Sequence, residues 1–292
     1  MLLTEKMNET HFSYNERDVI KFIKEEKEKI ENYSTTYIAD KTDTTPSTLV
    51  RIAKKLGYSG WNDFKKDYLK EIRYLNSHFN NIDANTPFDE DDSFISIAHK
   101  IGQLHQESVE DTLSLINPDT LQKAVNILLQ SKRIHVMAIT NLCYAAEELV
   151  FKFRRIGVDA RTYTDGHLLP ETLMIPKDDC CIFVSYSGQT EPLLDAAEVL
   201  HNNGVPIIAL TSIGENDLSH LANASLYVST REKSYKKIGA YTSLESIHLL
   251  MDILYSCFFQ VHYDKNYEHK IKTTPKRRGF HCGCKPVLLA RV

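Results

Sequence analysis

The second half of the chain alternates short apolar runs with amphipathic segments, and this alternation restricts the fold more than any other feature. The apolar runs have the length of strands, and the segments between them have the apolar spacing of helices. Apolar runs of this kind are typical of parallel strands that are covered on both faces. The sequence therefore predicts a doubly wound α/β domain with a parallel sheet. The predicted strands are 134–139, 180–186, 206–211 and 225–230, and the predicted helices are 94–116, 117–130, 144–156, 192–203, 218–222 and 243–263.

The first 77 residues carry helical signals only. Pro46 takes a first-turn position and Gly57 the C-terminal stop of one predicted helix. The stretch NNIDANTPFDEDDS that follows is polar, acidic and without apolar periodicity, which is typical of a linker. Since the chain has 292 residues, two domains are expected. The prediction is an all-α head at 1–79, a linker at 80–93, an α/β domain at 94–272 and a disordered basic tail at 273–292.

Composition excludes some classes of protein. The formal net charge of −4 excludes a basic nucleic-acid coat, although single segments are basic. No apolar run approaches the roughly 18 residues that a membrane span needs, and the first residues lack a signal-peptide pattern. Two of the six cysteines, Cys180 and Cys181, lie in a predicted strand, as reduced thiols of a cytoplasmic protein would. We expect a soluble, cytoplasmic protein with no membrane partner.

A hydroxyl-rich turn follows the second predicted strand. Ser185-Tyr-Ser-Gly-Gln-Thr190 stands between that strand and a helix with Pro192 in its first turn. In a parallel sheet, ligands bind at the carboxyl ends of strands, beside helix N-termini whose free N–H groups attract anions. Gly188 allows a close turn, and the hydroxyls of the motif donate hydrogen bonds. The pattern predicts a phosphate site, whereas a lone S-G-x-T would more often be an ordinary helix cap.

The wider run from Ser185 to Thr211 resembles the sugar isomerase (SIS) domain, which binds phosphosugars. Strand, S-x-S-G-x-T, helix, alanine pair, glycine and a strand that ends in threonine follow one another in the same order. The resemblance covers about 117–263. In one respect the chain departs from the pattern, because the loop after the first strand reads Ala138-Ile-Thr-Asn-Leu-Cys-Tyr144, without the usual glycines and serine.

This resemblance implies a set of ligand-binding residues. Thr140 and Asn141 retain hydrogen-bonding side chains in the altered loop. For Glu245, near the start of the last predicted helix, the resemblance implies either contact with a sugar hydroxyl or the role of a catalytic base. The simplest interpretation is a first-turn glutamate that the helix dipole favours. The implied ligand-binding residues are Ser185, Ser187, Gly188, Gln189, Thr190, Thr140, Asn141 and Glu245.

The head carries a second resemblance. The segment 38–61, and above all TPSTLVRIAKKLGYSGWNDF, is similar to the helix-turn-helix of RpiR-type transcriptional regulators, which place such a head before an SIS domain. Leu49, Ile52, Ala53 and Leu56 would form the buried stripe of its second helix. Early residues of a recognition helix reach base edges, and lysines attract phosphates. The expected DNA-binding residues, on exposed or flanking positions, are Thr45, Ser47, Thr48, Arg51, Lys54 and Lys55, with Lys65 and Lys66 as further phosphate attraction.

Together these features predict a DNA-binding transcriptional regulator of sugar metabolism that senses a phosphorylated sugar. It would act as a homodimer or homotetramer on operator DNA, without catalytic residues, cofactor or metal. His281, Cys282 and Cys284 in the tail supply too few ligands at too close a spacing for structural zinc. Two alternatives stay open: a sugar-phosphate isomerase with an accessory head, and a regulator whose effector pocket has decayed.

Overall fold

The computed structural model describes residues 3–77, 82–163, 168–214, 216–233 and 236–273, so that the predicted tail from residue 274 onward lies outside the described residues. The head is helical, as predicted. Its elements are α1 (Leu3–Glu9), α2 (Tyr14–Glu26), a 3₁₀ turn (Lys27–Asn32), α3 (Thr35–Lys41), α4 (Pro46–Lys55) and α5 (Trp61–Ser77).

Local signals explain the boundaries of the head helices. The Ser34 hydroxyl accepts a hydrogen bond from the Tyr37 N–H at the start of α3, and Pro46 opens α4. Gly57 follows α4 with φ of 95°, a conformation that favours glycine. The predicted stripe Leu49, Ile52, Ala53 and Leu56 is buried in the core of the head.

The described residues that follow α5 form the predicted α/β domain. Its sheet is wholly parallel, in the strand order β2-β1-β3-β4-β5. The strands are β1 (Ile134–Ala138), β2 (Ala160–Thr162), β3 (Cys180–Val184), β4 (Ile207–Ser212) and β5 (Ala224–Val228). The helices are α6 (Phe94–Ser114), α7 (Pro118–Gln130), α8 (Leu142–Arg154), α9 (Leu168–Thr172), α10 (Glu191–Asn202), α11 (Asp217–Leu221), α12 (Thr242–Val261) and α13 (Tyr263–Lys272).

Alternate residues of each strand enter two separate cores, which makes the domain doubly wound. Val136, Ile182 and Leu210 pack under α7, α8 and α12 on one face. Phe183 and Ala209 pack under α9, α10 and α11 on the other. This is why the central strands are buried at every position and mostly apolar, and the predicted fold class is confirmed.

Strand order places a crevice between β1 and β3. From β1 the chain runs outward to β2, and it then returns to β3 on the other side of β1. The loops that follow β1 and β3 therefore diverge at their carboxyl ends, where open α/β sheets bind ligands. The two loops that the sequence singles out, around Thr140 and over 185–190, are these two loops.

Among the described residues, α12 is a helix of 20 residues that is long and apolar enough to cross a membrane by length and composition alone. Its residues Ile247, Leu250 and Leu254 are buried in the core beneath the sheet. A core helix of a globular domain has the same composition.

Candidate functional site

Residues 185–190, hereafter the hydroxyl loop, connect β3 to α10. The loop is tied to the neighbouring strand, because the Ser185 N–H donates to the Leu210 carbonyl at 3.1 Å and the Ser212 N–H donates to the Tyr186 carbonyl at 2.9 Å. The N-terminus of the 12-residue helix α10 begins directly after Thr190. A rigid loop with hydroxyl groups therefore stands at the positive end of a helix dipole.

Gly188 is the tightest position of the loop. Its φ is +63°, and a Cβ at this position would overlap the side chain of Asn216 and lie 2.8 Å from the Thr211 Oγ1. The Leu218 N–H also donates to the Gly188 carbonyl at 3.2 Å. The loop therefore folds against the β4–α11 connection, and only glycine fits there.

The hydroxyl groups of the loop are not equivalent. The buried Ser185 Oγ lies 2.9 Å from Thr190 Oγ1 and accepts a hydrogen bond from the Gly188 N–H at 3.2 Å. Ser185 therefore braces the loop from inside. The half-buried Ser187 Oγ accepts from the Gln189 N–H at 3.2 Å, and the Gln189 amide lies beside Asp217 of α11. Ser187 and Thr190 are the hydroxyls that reach the surface of the loop.

The loop after β1 has an unusual backbone. Thr140 adopts φ of +55°, in the left-handed region that a β-branched residue rarely enters. Its Oγ1 donates to the Asn141 Oδ1 at 3.2 Å, and both side chains are exposed. Such strain is typical of functional loops. The position keeps the backbone shape that glycine would favour, although glycine itself is missing.

Glu245 forms its ion-pair contact outside these two loops. It occupies the first turn of α12, and its Oε2 lies 3.4 Å from His105 Nδ1 of α6. Both side chains are partly exposed. The contacts of Glu245 therefore join two helices and do not include the hydroxyl loop.

Two residues next to the hydroxyl loop were missing from the sequence prediction. Thr211 is wholly buried at the end of β4, and its Oγ1 has no hydrogen-bond partner among the described residues. Asn216 is buried and accepts from the Ser219 N–H at 3.0 Å, so that it caps α11 while touching Gly188. Their contacts with Gly188 are distant in sequence. An asparagine directly before a helix is the local signal that would have pointed to Asn216.

The exposed face of α4 carries most of the predicted DNA-binding residues. Thr45, Ser47, Arg51 and Lys54 are exposed, in keeping with the prediction. The placement of Thr48 on an exposed or flanking position was wrong, since only 4% of its surface is accessible. It lies one turn before Ile52 and shares the buried face of α4.

Two lysines of the head also have internal partners. Lys55 Nζ lies 2.6 Å from Glu16 Oε2, and Arg51 Nε lies 3.7 Å from the other oxygen of this buried carboxylate. Burial alone would raise the pKa of Glu16, but hydrogen bonds from Lys55 and Ser13 lower it below its ordinary value. Lys65 donates to the carbonyls of Glu31 and Tyr33, which orients its ammonium group, and its attraction for phosphates stays a prediction.

Comparison with known families matches both parts of the chain. Residues 1–73 match the helix-turn-helix domain of the rpiR family, and residues 127–256 match the SIS domain. An uncharacterised HTH-type transcriptional regulator of Clostridium perfringens is 29% identical over 261 residues, which are 89% of this chain and 92% of that protein. A second such regulator, from Caldanaerobacter subterraneus, is 25% identical over 254 residues, which are 87% and 88% of the two chains.

Solved structures share the fold. The Vibrio vulnificus NanR protein complexed with ManNAc-6P superposes with a TM-score of 0.60 at 23% identity and covers 93% of this chain and 96% of its own. The sugar isomerase domain of an RpiR transcription factor from Sphaerobacter thermophilus gives a TM-score of 0.55 at 17% identity, over 60% of this chain and 97% of its own. At these identities the likeness concerns the fold.

The helix-turn-helix head and the α/β domain behind it define a DNA-binding transcriptional regulator with a sensor-type domain. The order of the two domains and the matches to both family models make the assignment specific. The chain belongs to the RpiR family of helix-turn-helix regulators with an SIS domain.

Proposed function

We propose that the SIS domain binds a phosphorylated sugar, and that this ligand changes the affinity of the head for operator DNA. The observation that carries the proposal is the hydroxyl loop at the N-terminus of α10, beside the crevice between β1 and β3. The phosphate would lie against Ser187, Thr190, Gly188 and Gln189, with Ser185 bracing the loop, and Thr140 and Asn141 would close the other side. The complex of NanR with ManNAc-6P supports this class of ligand.

On the DNA side, Arg51 and Lys54 are the strongest candidates for contact, with Thr45 and Ser47 at the start of α4. The side chain of Arg51 is 64% accessible, and its Nε lies 3.7 Å from the buried Glu16 carboxylate. Lys55 would add charge near the phosphates while it stays paired with Glu16. Because one small head offers few contacts, we infer that two heads of a dimer or tetramer bind adjacent half-sites in the cytoplasm.

A sugar-phosphate isomerase is the rival function, since SIS folds also occur in isomerases such as the one proposed for Listeria monocytogenes. Isomerisation needs a base within hydrogen-bond reach of the substrate carbon proton. Glu245 contacts His105 of α6 instead of the hydroxyl loop. We therefore propose a regulator without turnover, and an assay of aldose and ketose phosphate interconversion checks this directly.

The first test is thermal melting of the full chain against a panel of sugar phosphates. A ligand at about a hundred times its Kd stabilises the native state by roughly 2.7 kcal/mol. We expect a rise in Tm with one phosphosugar, and no rise with the matching free sugar. The double variant Ser187→Ala/Thr190→Ala should lose this rise, because it removes the surface hydroxyls of the loop.

The control variant is Ser47→Ala, which removes an exposed hydroxyl from the head and should keep the rise. If no phosphosugar changes the Tm of the natural chain, the decayed-pocket alternative replaces the proposal. A rise that persists in the double variant would place the ligand elsewhere.

A further inference from the structure

The segment between the two domains is attached to the SIS domain. Residues 82–87, hereafter the interdomain strap, lie between α5 of the head and α6, and Ala84, Asn85 and Pro87 are buried. The Asn85 Oδ1 accepts a hydrogen bond from the Lys233 N–H at 2.6 Å, and its carbonyl accepts from the Ile238 N–H at 3.0 Å. Although its composition is that of a linker, the strap is held by specific contacts.

Asn85 is itself held in place from within the strap. Asp83 Oδ1 accepts hydrogen bonds from the Asn85 N–H at 2.9 Å and from its side-chain amide at 2.8 Å. These bonds, the backbone one first, lower the pKa of Asp83 below its ordinary value. The amide oxygen of Asn85 is therefore directed at the connection between β5 and α12.

A buried ion pair fixes the other side of this contact. Arg231 lies 2.5 Å from Glu107 of α6, and the same guanidinium donates to the Ile82 carbonyl at 3.1 Å. Removal of one partner leaves the other charge buried and unpaired, which strongly destabilises a folded domain. Arg231 therefore ties the strap to α6, and its variants are unsuitable as tests because they would destabilise the domain.

Glu232, which follows Arg231 in the chain, contacts the start of α12. The buried carboxylate of Glu232 accepts from the Thr242 N–H and the Ser243 hydroxyl, and Lys237 Nζ lies 2.9 Å from it. Burial would raise the pKa of Glu232, but Lys237 and Ser243 lower it below its ordinary value. The connection between β5 and α12 is thereby locked as a unit.

The hydroxyl loop touches this same unit. The Tyr186 hydroxyl donates to the Glu232 carbonyl at 2.9 Å, and Lys237 Nζ lies 5.1 Å from the centre of the Tyr186 ring. Tyr186 stands between Ser185 and Ser187. The Glu232 carbonyl and the Lys233 N–H belong to one peptide unit, so that a shift of the loop on ligand binding acts on the peptide that donates to Asn85 Oδ1.

We propose that the interdomain strap, anchored by Asn85, transmits the state of the hydroxyl loop to the DNA-binding head through Tyr186 and Glu232. This inference rests on the function proposed above. Coupling between two sites is reciprocal, so that DNA binding to the head must also change the hydroxyl loop. That direction is measurable before the effector is known.

The experiment uses the full chain and a DNA duplex selected from a random library. Amide hydrogen exchange of residues 185–190 is measured with and without this duplex, in the natural chain and in Asn85→Ala. We expect DNA to change the exchange rates by about fivefold or more in the natural chain and by less than about twofold in Asn85→Ala. Glu90→Ala, which truncates an exposed side chain of the same connecting segment outside the strap, is the control and should behave like the natural chain.

Tyr186→Phe provides a second variant that removes a single hydroxyl. It should lose the exchange response as Asn85→Ala does, and the double variant should lose no more than either single one, because both act on one path. An unchanged response in Asn85→Ala and Tyr186→Phe would overturn the proposal, as would a natural chain whose loop does not respond to DNA. If circular dichroism shows that Asn85→Ala is unfolded, Tyr186→Phe decides alone.

Thermal melting distinguishes a failure of this coupling proposal from a failure of the proposed phosphosugar binding. Because the strap couples the two sites without binding the ligand, we expect Asn85→Ala to keep the rise in Tm with the phosphosugar. The same variant should lose the effect of that phosphosugar on DNA affinity. Loss of the rise in Asn85→Ala would make Asn85 part of the ligand site and would overturn its role as a coupling residue. Absence of any rise in the natural chain would refute phosphosugar binding, while the exchange experiment with DNA would still decide the role of the strap.

Discussion

A single hydrogen in place of a side chain determines the shape of the candidate site. Gly188 has a positive φ, and the hydroxyl of Thr211 and the amide of Asn216 fill the space where a methyl group would lie. Two costs would therefore add in any substitution: backbone strain and displacement of buried polar groups.

For Gly188→Ala we expect the free energy of unfolding to fall by about 1–3 kcal/mol. The change in phosphosugar response should be larger than this loss suggests, because the loop backbone must move. Urea unfolding and thermal melting with the ligand measure the two effects. The control is Gly102→Ala in α6, where an added Cβ has no heavy atom within 4 Å, so that alanine should leave stability unchanged or raise it. Equal stability of Gly188→Ala and the natural chain would contradict the tight fit.

Local pattern predicted the loop, and long-range contacts decided the rest of the site. The order of Ser185, Ser187, Gly188 and Thr190 after an apolar strand was visible in the sequence, as was the exposed face of α4. The burial of Thr48 and the ion pair between Glu16 and Lys55 depend on how α2 packs against α4. No periodicity within one segment contains that information.

At the scale of elements, a buried histidine of β1 contacts residues that directly flank the two neighbouring strands, β2 and β3. His135 of β1 is 2% accessible; its Nε2 lies 2.9 Å from Asp179 Oδ2, and its Nδ1 lies 2.5 Å from the Tyr163 hydroxyl. Burial raises the pKa of Tyr163 to about 12, so that its hydroxyl remains a donor to Nδ1. Desolvation lowers the pKa of His135, with Arg133 and Arg161 acting in the same direction and Asp179 opposing them. The imidazole is therefore neutral, with its proton on Nε2.

This arrangement predicts a loss of stability in mild acid. The pKa of His135 is lowered in the folded state. In the unfolded chain the same histidine has the ordinary pKa of about 6.5, so that the unfolded state binds more protons near and below that pH. The free energy of unfolding therefore falls as the pH falls through about 6.5. The free energy of unfolding should therefore drop from pH 7.5 to pH 5.5, with a slope of at most about 1.4 kcal/mol per pH unit from this group. Urea unfolding at a series of pH values measures the drop.

His135→Gln should reduce this pH dependence while it lowers stability at pH 7.5. The matched control is His99→Gln, since His99 is exposed on α6 and should leave the slope unchanged. An identical slope in His135→Gln and the natural chain would show that His135 titrates normally.

The elements that sequence patterns missed are the short ones. The strand β2 has three residues, one of them Arg161, and α9 has five, so that neither presents enough periodicity to be recognised. α1 and α13 were missed as well, whereas the predicted last helix over 243–263 corresponds to α12. The long, apolar β1, β3 and β4 were predicted within one or two residues, because burial on both faces leaves no other pattern.

At the scale of the whole molecule, a helix-turn-helix head precedes an SIS domain. The order of head and sensor domain followed from the sequence, through composition and two family resemblances. The contact of the interdomain strap with the connection between β5 and α12 did not, because a polar segment such as 82–87 looks the same whether it is free or held. A ligand shifts such a molecule only to the extent that it binds one arrangement better than another.

Phosphosugar sensing is tested most directly by the operator affinity with and without the phosphosugar that raises the Tm. Fluorescence anisotropy at one fixed salt concentration gives the Kd of the selected duplex, since salt alone changes such affinities strongly. We expect saturating ligand to change this Kd by about fivefold or more in the natural chain and by less than about twofold in Ser187→Ala/Thr190→Ala. An operator Kd that stays the same in the natural chain at saturating ligand would contradict the claim that this regulator senses a sugar phosphate.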